Sequence, residues 1–191
     1  QKTGYQNGVE VGYNGYVDPQ QPVNYCFQLT NNGEAPLKNL EFRDDDIGIS
    51  ITSENLSFNS ETTTANDLLL AVYNADGSVK QYVEKGKLTD DVLKTALADG
   101  IAVGERILIH GFKYTIPAAD WTTSNGSTYF HNTVYTTGTA HYNNASSEEL
   151  HGIADYRVQK QTYSFAGDHF YTLGELKDGN NKVDLETPSE I

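Results

Sequence analysis

Apolar and polar residues alternate along much of this chain, in short runs separated by turn residues. Residues 23–30 place Val, Tyr, Phe and Leu at every second position, which is the period of a half-buried strand. Residues 129–142 form a longer run, with Asn132 on the same face as Val134 and Ala140. Because 13 Tyr and 7 Phe are punctuated by 17 Gly, the sequence predicts an all-β sandwich or barrel.

The middle of the chain departs from this alternation. Residues 68–73 and 79–83 flank an Asn-Ala-Asp-Gly turn and are predicted to form a hairpin. A short helix is predicted over 89–98, because Thr89 can cap its start and Gly100 can end it. The apolar stripe of this helix consists of Val92, Leu93, Ala96 and Leu97.

A further long strand is predicted over residues 105–116, where Pro117 ends it. Its alternation places Ile107, Ile109 and Gly111 on one face.

The composition restricts the function. Net charge is −13, which disfavours nucleic acid and anionic membrane surfaces as partners. No apolar run approaches the roughly 20 residues of a membrane-spanning helix. The chain starts at Gln1 and has no Met, as expected of a secreted, processed product or an excised fragment. Its single Cys26 cannot form an internal disulfide and is interpreted as a small buried apolar residue.

Several short motifs occur in an order that resembles a known surface module. They are Val17-Asp18-Pro19, residues 25–33 ending in Thr-Asn-Asn-Gly, residues 37–45 ending in Asp, Val103-Gly104-Glu105, and Asn132-Thr133-Val134. They resemble the conserved-repeat Ig-like β-sandwich domain of bacterial and archaeal surface proteins. The resemblance implies an Ig-like antiparallel β-sandwich, an extracellular location and a structural or adhesive role without catalytic residues.

The resemblance also divides the chain. Residues 1–160 are expected to form the sandwich, with the hairpin and the helix as an insertion over about 49–100. Residues 161–191 form a C-terminal tail, interpreted as a linker or as a strand that pairs with a partner. The partner is then a second copy of the chain or a neighbouring surface module. The apolar residues that favour such pairing are Tyr163, Phe165, Phe170, Tyr171 and Leu173.

One acidic turn is a candidate cation site. Asp44, Asp45 and Asp46 are consecutive, and adjacent carboxylates repel one another unless a cation or backbone donors compensate. Ca²⁺ binds carboxylate and carbonyl oxygens in loops, so calcium is one hypothesis and a solvated acidic turn is the other. If calcium binds, a chelator should lower the melting temperature.

Two further chemistries remain open. Trp121, Tyr129 and Phe130 form either a sugar-stacking platform or part of the core. An internal Lys–Asn isopeptide crosslink is known in other surface sandwiches, and Lys38 or Lys113 with Asn132 are candidates, although sequence cannot bring them together.

No arrangement in the sequence resembles an enzyme's active site, since a Gly-x-Ser-x-Gly elbow is absent and no histidines are paired at metal-binding spacing. We therefore expect a non-enzymatic subunit or spacer of a surface filament or array, assembled by noncovalent β-strand contacts. The alternative is a carbohydrate-binding or adhesive module on the same fold.

Overall fold

A computed structural model describes residues 1–161, and this range contains thirteen strands and one α-helix. The helix, α1, spans Asp90–Asp99. The strands are β1 (Lys2–Gln6), β2 (Val9–Val11), β3 (Gly15–Val17), β4 (Val23–Thr30), β5 (Leu37–Asp44), β6 (Ile49–Ile51), β7 (Leu56–Ser57), β8 (Leu69–Tyr73), β9 (Val79–Val83), β10 (Arg106–Tyr114), β11 (Thr122–Ser124), β12 (Ser127–His141) and β13 (Ser147–Lys160).

Within residues 1–161 these strands form two sheets. The first sheet has the order β2-β1-β4-β10-β8-β9, and the second has the order β3-β13-β12-β5-β6-β7, with β11 paired to β12. Strands β3 and β13 run parallel, whereas the other pairs are antiparallel. The predicted all-β sandwich with a hairpin and a short helix is confirmed.

The core lies between the sheets and follows the predicted alternation. In β4, Val23, Tyr25 and Phe27 point inward and are fully buried. In β12, Asn132 and Val134 point inward from the opposite sheet. The prediction that Asn132 shares a face with apolar residues is thus correct, and it places an amide in the core.

Helix α1 begins and ends as its sequence predicts. The Thr89 side chain accepts a hydrogen bond from the backbone N–H of Val92, and Gly100 ends the helix with a positive φ of 68°. One residue of the predicted apolar stripe differs, because Val92 stays 37% exposed. The other three are buried against the core: Leu93, Ala96 and Leu97.

The segment 49–100 belongs to both sheets. Strands β6 and β7 extend the second sheet beyond β5, and the β8–β9 hairpin extends the first sheet beyond β10. Helix α1 packs against β5.

The predicted face of the long strand is wrong at Gly111. Its φ is 116°, and the register of β10 on β4 shifts between His110 and Phe112. This β-bulge requires a glycine, because φ is positive there and a Cβ on Gly111 would lie 2.9 Å from the carbonyl oxygen of Asp67. Phe112 therefore occupies the inward position instead.

Cys26 is buried, as its apolar surroundings predict. Burial raises the pKa of its thiol to about 12, so the thiol stays protonated at neutral pH. In the part of the chain that the structure describes, no helix has both the length and the apolar character of a membrane span.

Candidate functional site

A lysine side chain is buried in the core between the two sheets. Lys2 lies on β1 of the first sheet and faces inward, with its Nζ 4.7 Å from the ring centre of Tyr25 and 5.7 Å from that of Phe27. Both rings belong to β4, the neighbour of β1. Because a lysine is almost never fully buried unless it is paired, this position points to a specific partner.

A side chain of the second sheet contacts both β1 and its neighbour β2. Tyr156 of β13 crosses the core and donates a hydrogen bond to the carbonyl oxygen of Val11. Its ring occupies the space above Gly4, where an added Cβ would lie 2.8 Å from the ring. The glycine two positions after Lys2 is therefore required for the close approach of β1 to β13.

The second sheet provides an acid and an amide opposite this lysine. Asp44, the last residue of β5, and Asn132 of β12 both point inward and are fully buried. The same oxygen, Asp44 Oδ2, accepts hydrogen bonds from Lys2 Nζ and, at 3.2 Å, from Asn132 Nδ2. The amine and the amide thus meet at one carboxyl oxygen, across the space between the sheets.

Burial shifts both ionisable groups towards their neutral forms. It raises the pKa of Asp44, and the positive charge of Lys2 opposes this shift. It lowers the pKa of Lys2 to about 8, and the negative charge of Asp44 opposes that shift. A neutral amine beside a protonated carboxylic acid is accordingly more accessible here than it is in water.

Three oxygens around the cluster lack partners within residues 1–161: Asp44 Oδ1, Asn132 Oδ1 and the hydroxyl of Tyr25. Buried polar atoms are normally hydrogen-bonded, so an unpaired carboxyl oxygen and an unpaired amide oxygen need an explanation. A proton on Asp44 supplies one, since the acid can then donate to the amide oxygen. A half-turn of the Asn132 amide presents that oxygen to Asp44.

The three residues of the acidic turn take different partners. Asp44 pairs with Lys2, Asp45 lies 3.3 Å from Arg43 at the surface, and Asp46 accepts from the backbone N–H of Thr133 at 3.2 Å. Among the described residues no group of three or more His, Cys, Asp or Glu side chains is arranged to hold a metal ion. Calcium binding stays a prediction, which melting with and without a chelator tests.

The aromatic residues considered for sugar binding are largely engaged. Phe130 is buried and stacks on Tyr114 with ring centres 5.7 Å apart. Tyr129 lines an open cavity of about 730 Å³, but the Arg157 guanidinium lies 3.6 Å from the centre of its ring. Trp121 is half-buried against the core. Sugar binding stays a prediction.

The lysine beside Asn132 is neither of the two candidates named from the sequence. Lys38 is exposed on β5, and Lys113 lies on β10. Lys2 holds the position instead. The residues predicted for assembly lie outside the described residues: Tyr163, Phe165, Phe170, Tyr171 and Leu173.

No known protein family matches the chain, and no curated protein is significantly similar to it. Several solved structures resemble it, and two of them are described here. One is ACE19, the collagen-binding subdomain of the Enterococcus faecalis surface protein ACE, with 11% identity, a TM-score of 0.38, and coverage of 84% of this chain and 94% of that one. The other is BcpA, the major pilin subunit of Bacillus cereus, with 14% identity, a TM-score of 0.32, and coverage of 85% of this chain and 41% of that one. Both TM-scores lie below 0.5.

Proposed function

We propose that this chain is a structural module of an extracellular surface protein whose sheets are joined by an isopeptide bond between Lys2 and Asn132. One observation carries the proposal: a buried amine and a buried amide, from opposite sheets, share a single oxygen of a buried acid. The proposed bond connects Lys2 Nζ to Asn132 Cγ, and the chain forms it without another enzyme.

The reaction exchanges one amide for another. The neutral Lys2 amine attacks Asn132 Cγ and forms the new C–N bond, while Asp44 in its acid form hydrogen-bonds the amide oxygen. Asp44 gives its proton to the amide nitrogen, which leaves Asn132 Cγ as ammonia, and takes in its place the proton that the attacking nitrogen loses. An amine and a primary amide become a secondary amide and ammonia, so no oxidant or reductant is needed.

The surroundings favour this step. Exclusion of water and a low dielectric increase the share of neutral amine, as the lowering of the Lys2 pKa to about 8 indicates. The strands hold the reacting groups next to each other, so the reaction avoids the entropy loss of bringing two separate molecules into contact. Tyr25 and Phe27 close the site on the side of the first sheet.

The competing interpretation is an ordinary buried ion pair. Such a pair contributes little net stability, because desolvation of the two charges offsets their attraction. It also leaves Asn132 Oδ1 and Asp44 Oδ1 unpaired. The crosslink explains why all three polar residues are buried together, since each takes part in joining the two sheets. The single Cys26 cannot join them by a disulfide within the chain.

Intact mass tests the proposal. The wild type should weigh less than its sequence by one ammonia, whereas Lys2→Ala, Asp44→Ala and Asn132→Ala should not show this loss. Lys38→Ala and Lys113→Ala are matched controls that should retain it. A chain that begins with Gln1 can also lose ammonia by cyclisation, so the measured quantity is the difference between wild type and Asp44→Ala. Equal losses in those two proteins would contradict the crosslink.

The predicted filament assembly through residues 161–191 is a separate part of the proposal. A module stiffened within its core suits a load-bearing array, and an added strand supplies backbone hydrogen bonds between neighbours. Deleting residues 161–191 should leave a folded domain that no longer self-associates in sedimentation velocity. A full-length chain that is monomeric at every concentration would rule out the filament and leave the spacer role.

A further inference from the structure

Next to Asn132, the Asp46 side chain accepts a backbone hydrogen bond that a neighbouring strand would otherwise accept. Strand β5 ends at Asp44, where the chain turns into a 3-10 helix over Asp45–Ile47. Strand β12 continues past this point, because its pairing with β5 begins only at Tyr135. The backbone N–H of Thr133 therefore has no strand partner on that side, and it donates to Asp46 Oδ2 at 3.2 Å.

This hydrogen bond joins the two chain segments that carry the reacting groups. Thr133 directly follows Asn132, and Asp46 lies two residues after Asp44. On the other side of Thr133, its hydroxyl donates to Asp155 at 2.7 Å. The backbone next to the amide is thus fixed from both neighbouring segments, although neither carboxylate touches Asn132 itself.

The charge of Asp46 has opposing influences on the reaction. It raises the pKa of Asp44, which favours the acid form, and it raises the pKa of Lys2, which disfavours the neutral amine. Asp155 also raises the pKa of Lys2. These two pKa effects of Asp46 act against each other. Its hydrogen bond to the Thr133 backbone, in contrast, acts only in favour of the reaction, because it holds the backbone next to Asn132 in place.

We propose that Asp46 is a positioning residue for the Lys2–Asn132 reaction. It holds the Thr133 backbone, and this keeps the Asn132 amide against Asp44. This inference rests on the proposed crosslink and adds the requirement that the loop after β5 be folded first. Asp46 touches neither reacting atom, so its effect is on the rate and not on whether the bond is possible.

Cell-free synthesis of the full chain, stopped at intervals with acid and followed by intact mass, measures the rate of ammonia loss. Asp46→Ala removes the acceptor and should slow the reaction by about tenfold or more. Asp46→Asn keeps an acceptor oxygen without the charge and should restore most of the rate. Asp45→Ala is the matched control, since Asp45 is exposed and lies beside Arg43.

The outcomes separate the two proposals. A wild type that never loses ammonia, beyond the loss seen in Asp44→Ala, ends the crosslink and this inference together. A wild type that reacts, with Asp46→Ala as fast as Asp45→Ala, ends this inference alone. So does Asp46→Asn as slow as Asp46→Ala. Circular dichroism of Asp46→Ala in a Lys2→Ala background, which cannot crosslink, identifies a folding defect.

Discussion

The double variant Lys2→Met, Asp44→Leu is expected to melt roughly 10–20 °C below the wild type. A Lys2–Asn132 bond closes a loop of about 130 residues, and the chain-entropy model assigns such a crosslink about 5 kcal/mol. For a chain of this size, each kcal/mol corresponds to roughly 2–4 °C in Tm. Differential scanning calorimetry measures the difference.

The double variant distinguishes the crosslink from an ion pair by the sign of the change. It removes amine and acid together and leaves no unpaired charge in the core, so loss of an ordinary buried pair should be neutral or stabilising. Asp44→Ala should be at least as unstable as the double variant, because it leaves Lys2 buried without its acid. A double variant that melts at or above the wild-type temperature would contradict the bond.

Under tension the crosslink should keep most of the domain from extending. When the chain is pulled from its two ends, force enters at Lys2 and passes through the isopeptide bond directly to Asn132. Residues 3–131 then carry no load. Asp44→Ala should therefore lengthen by about 450 Å more than the wild type on full unfolding, from about 130 residues at roughly 3.5 Å each.

Single-molecule force spectroscopy of the full chain between identical handles provides this comparison. The 161–191 segment contributes equally to both proteins, so the difference in contour length depends only on the closed loop. Lys38→Ala is the control and should extend as little as the wild type. Equal extension in the wild type and Asp44→Ala would show that no isopeptide bond between Lys2 and Asn132 carries the force.

Local patterns predicted much of the fold. The alternation in residues 23–30 and 129–142 identified two core strands, and the Thr89 and Gly100 signals located the helix to within a residue. These features depend on near neighbours in the sequence. The bulge at Gly111 is a shift in the register of β10 on β4, which is distant in sequence, so strict alternation predicts the wrong face.

The candidate site was only partly predictable, because its members meet through pairings across the whole fold. Asn132 was recognised as a polar residue on an apolar face, and it was considered for a crosslink. The sequence does not predict that Lys2 is buried, because lysine at the end of a short strand is ordinarily exposed. One local signal for its burial is that Lys2 stands two positions before Gly4. Residues at this spacing share a face of a strand, and here it is the inward face on which Tyr156 packs. The sequence shows that Asp44 belongs to an acidic turn, but it does not show that Asp44 is the residue of this turn that points inward.

The most direct measurement is tandem mass spectrometry of a tryptic digest. Trypsin cuts after Lys and Arg but not after a crosslinked lysine, so the account predicts one branched species in which residues 1–38 are joined to residues 114–157. Its mass should equal the two peptides less one ammonia, and its fragments should place the branch at Lys2 and Asn132. Recovery of residues 114–157 as a free, unmodified peptide from folded wild-type protein would contradict the account.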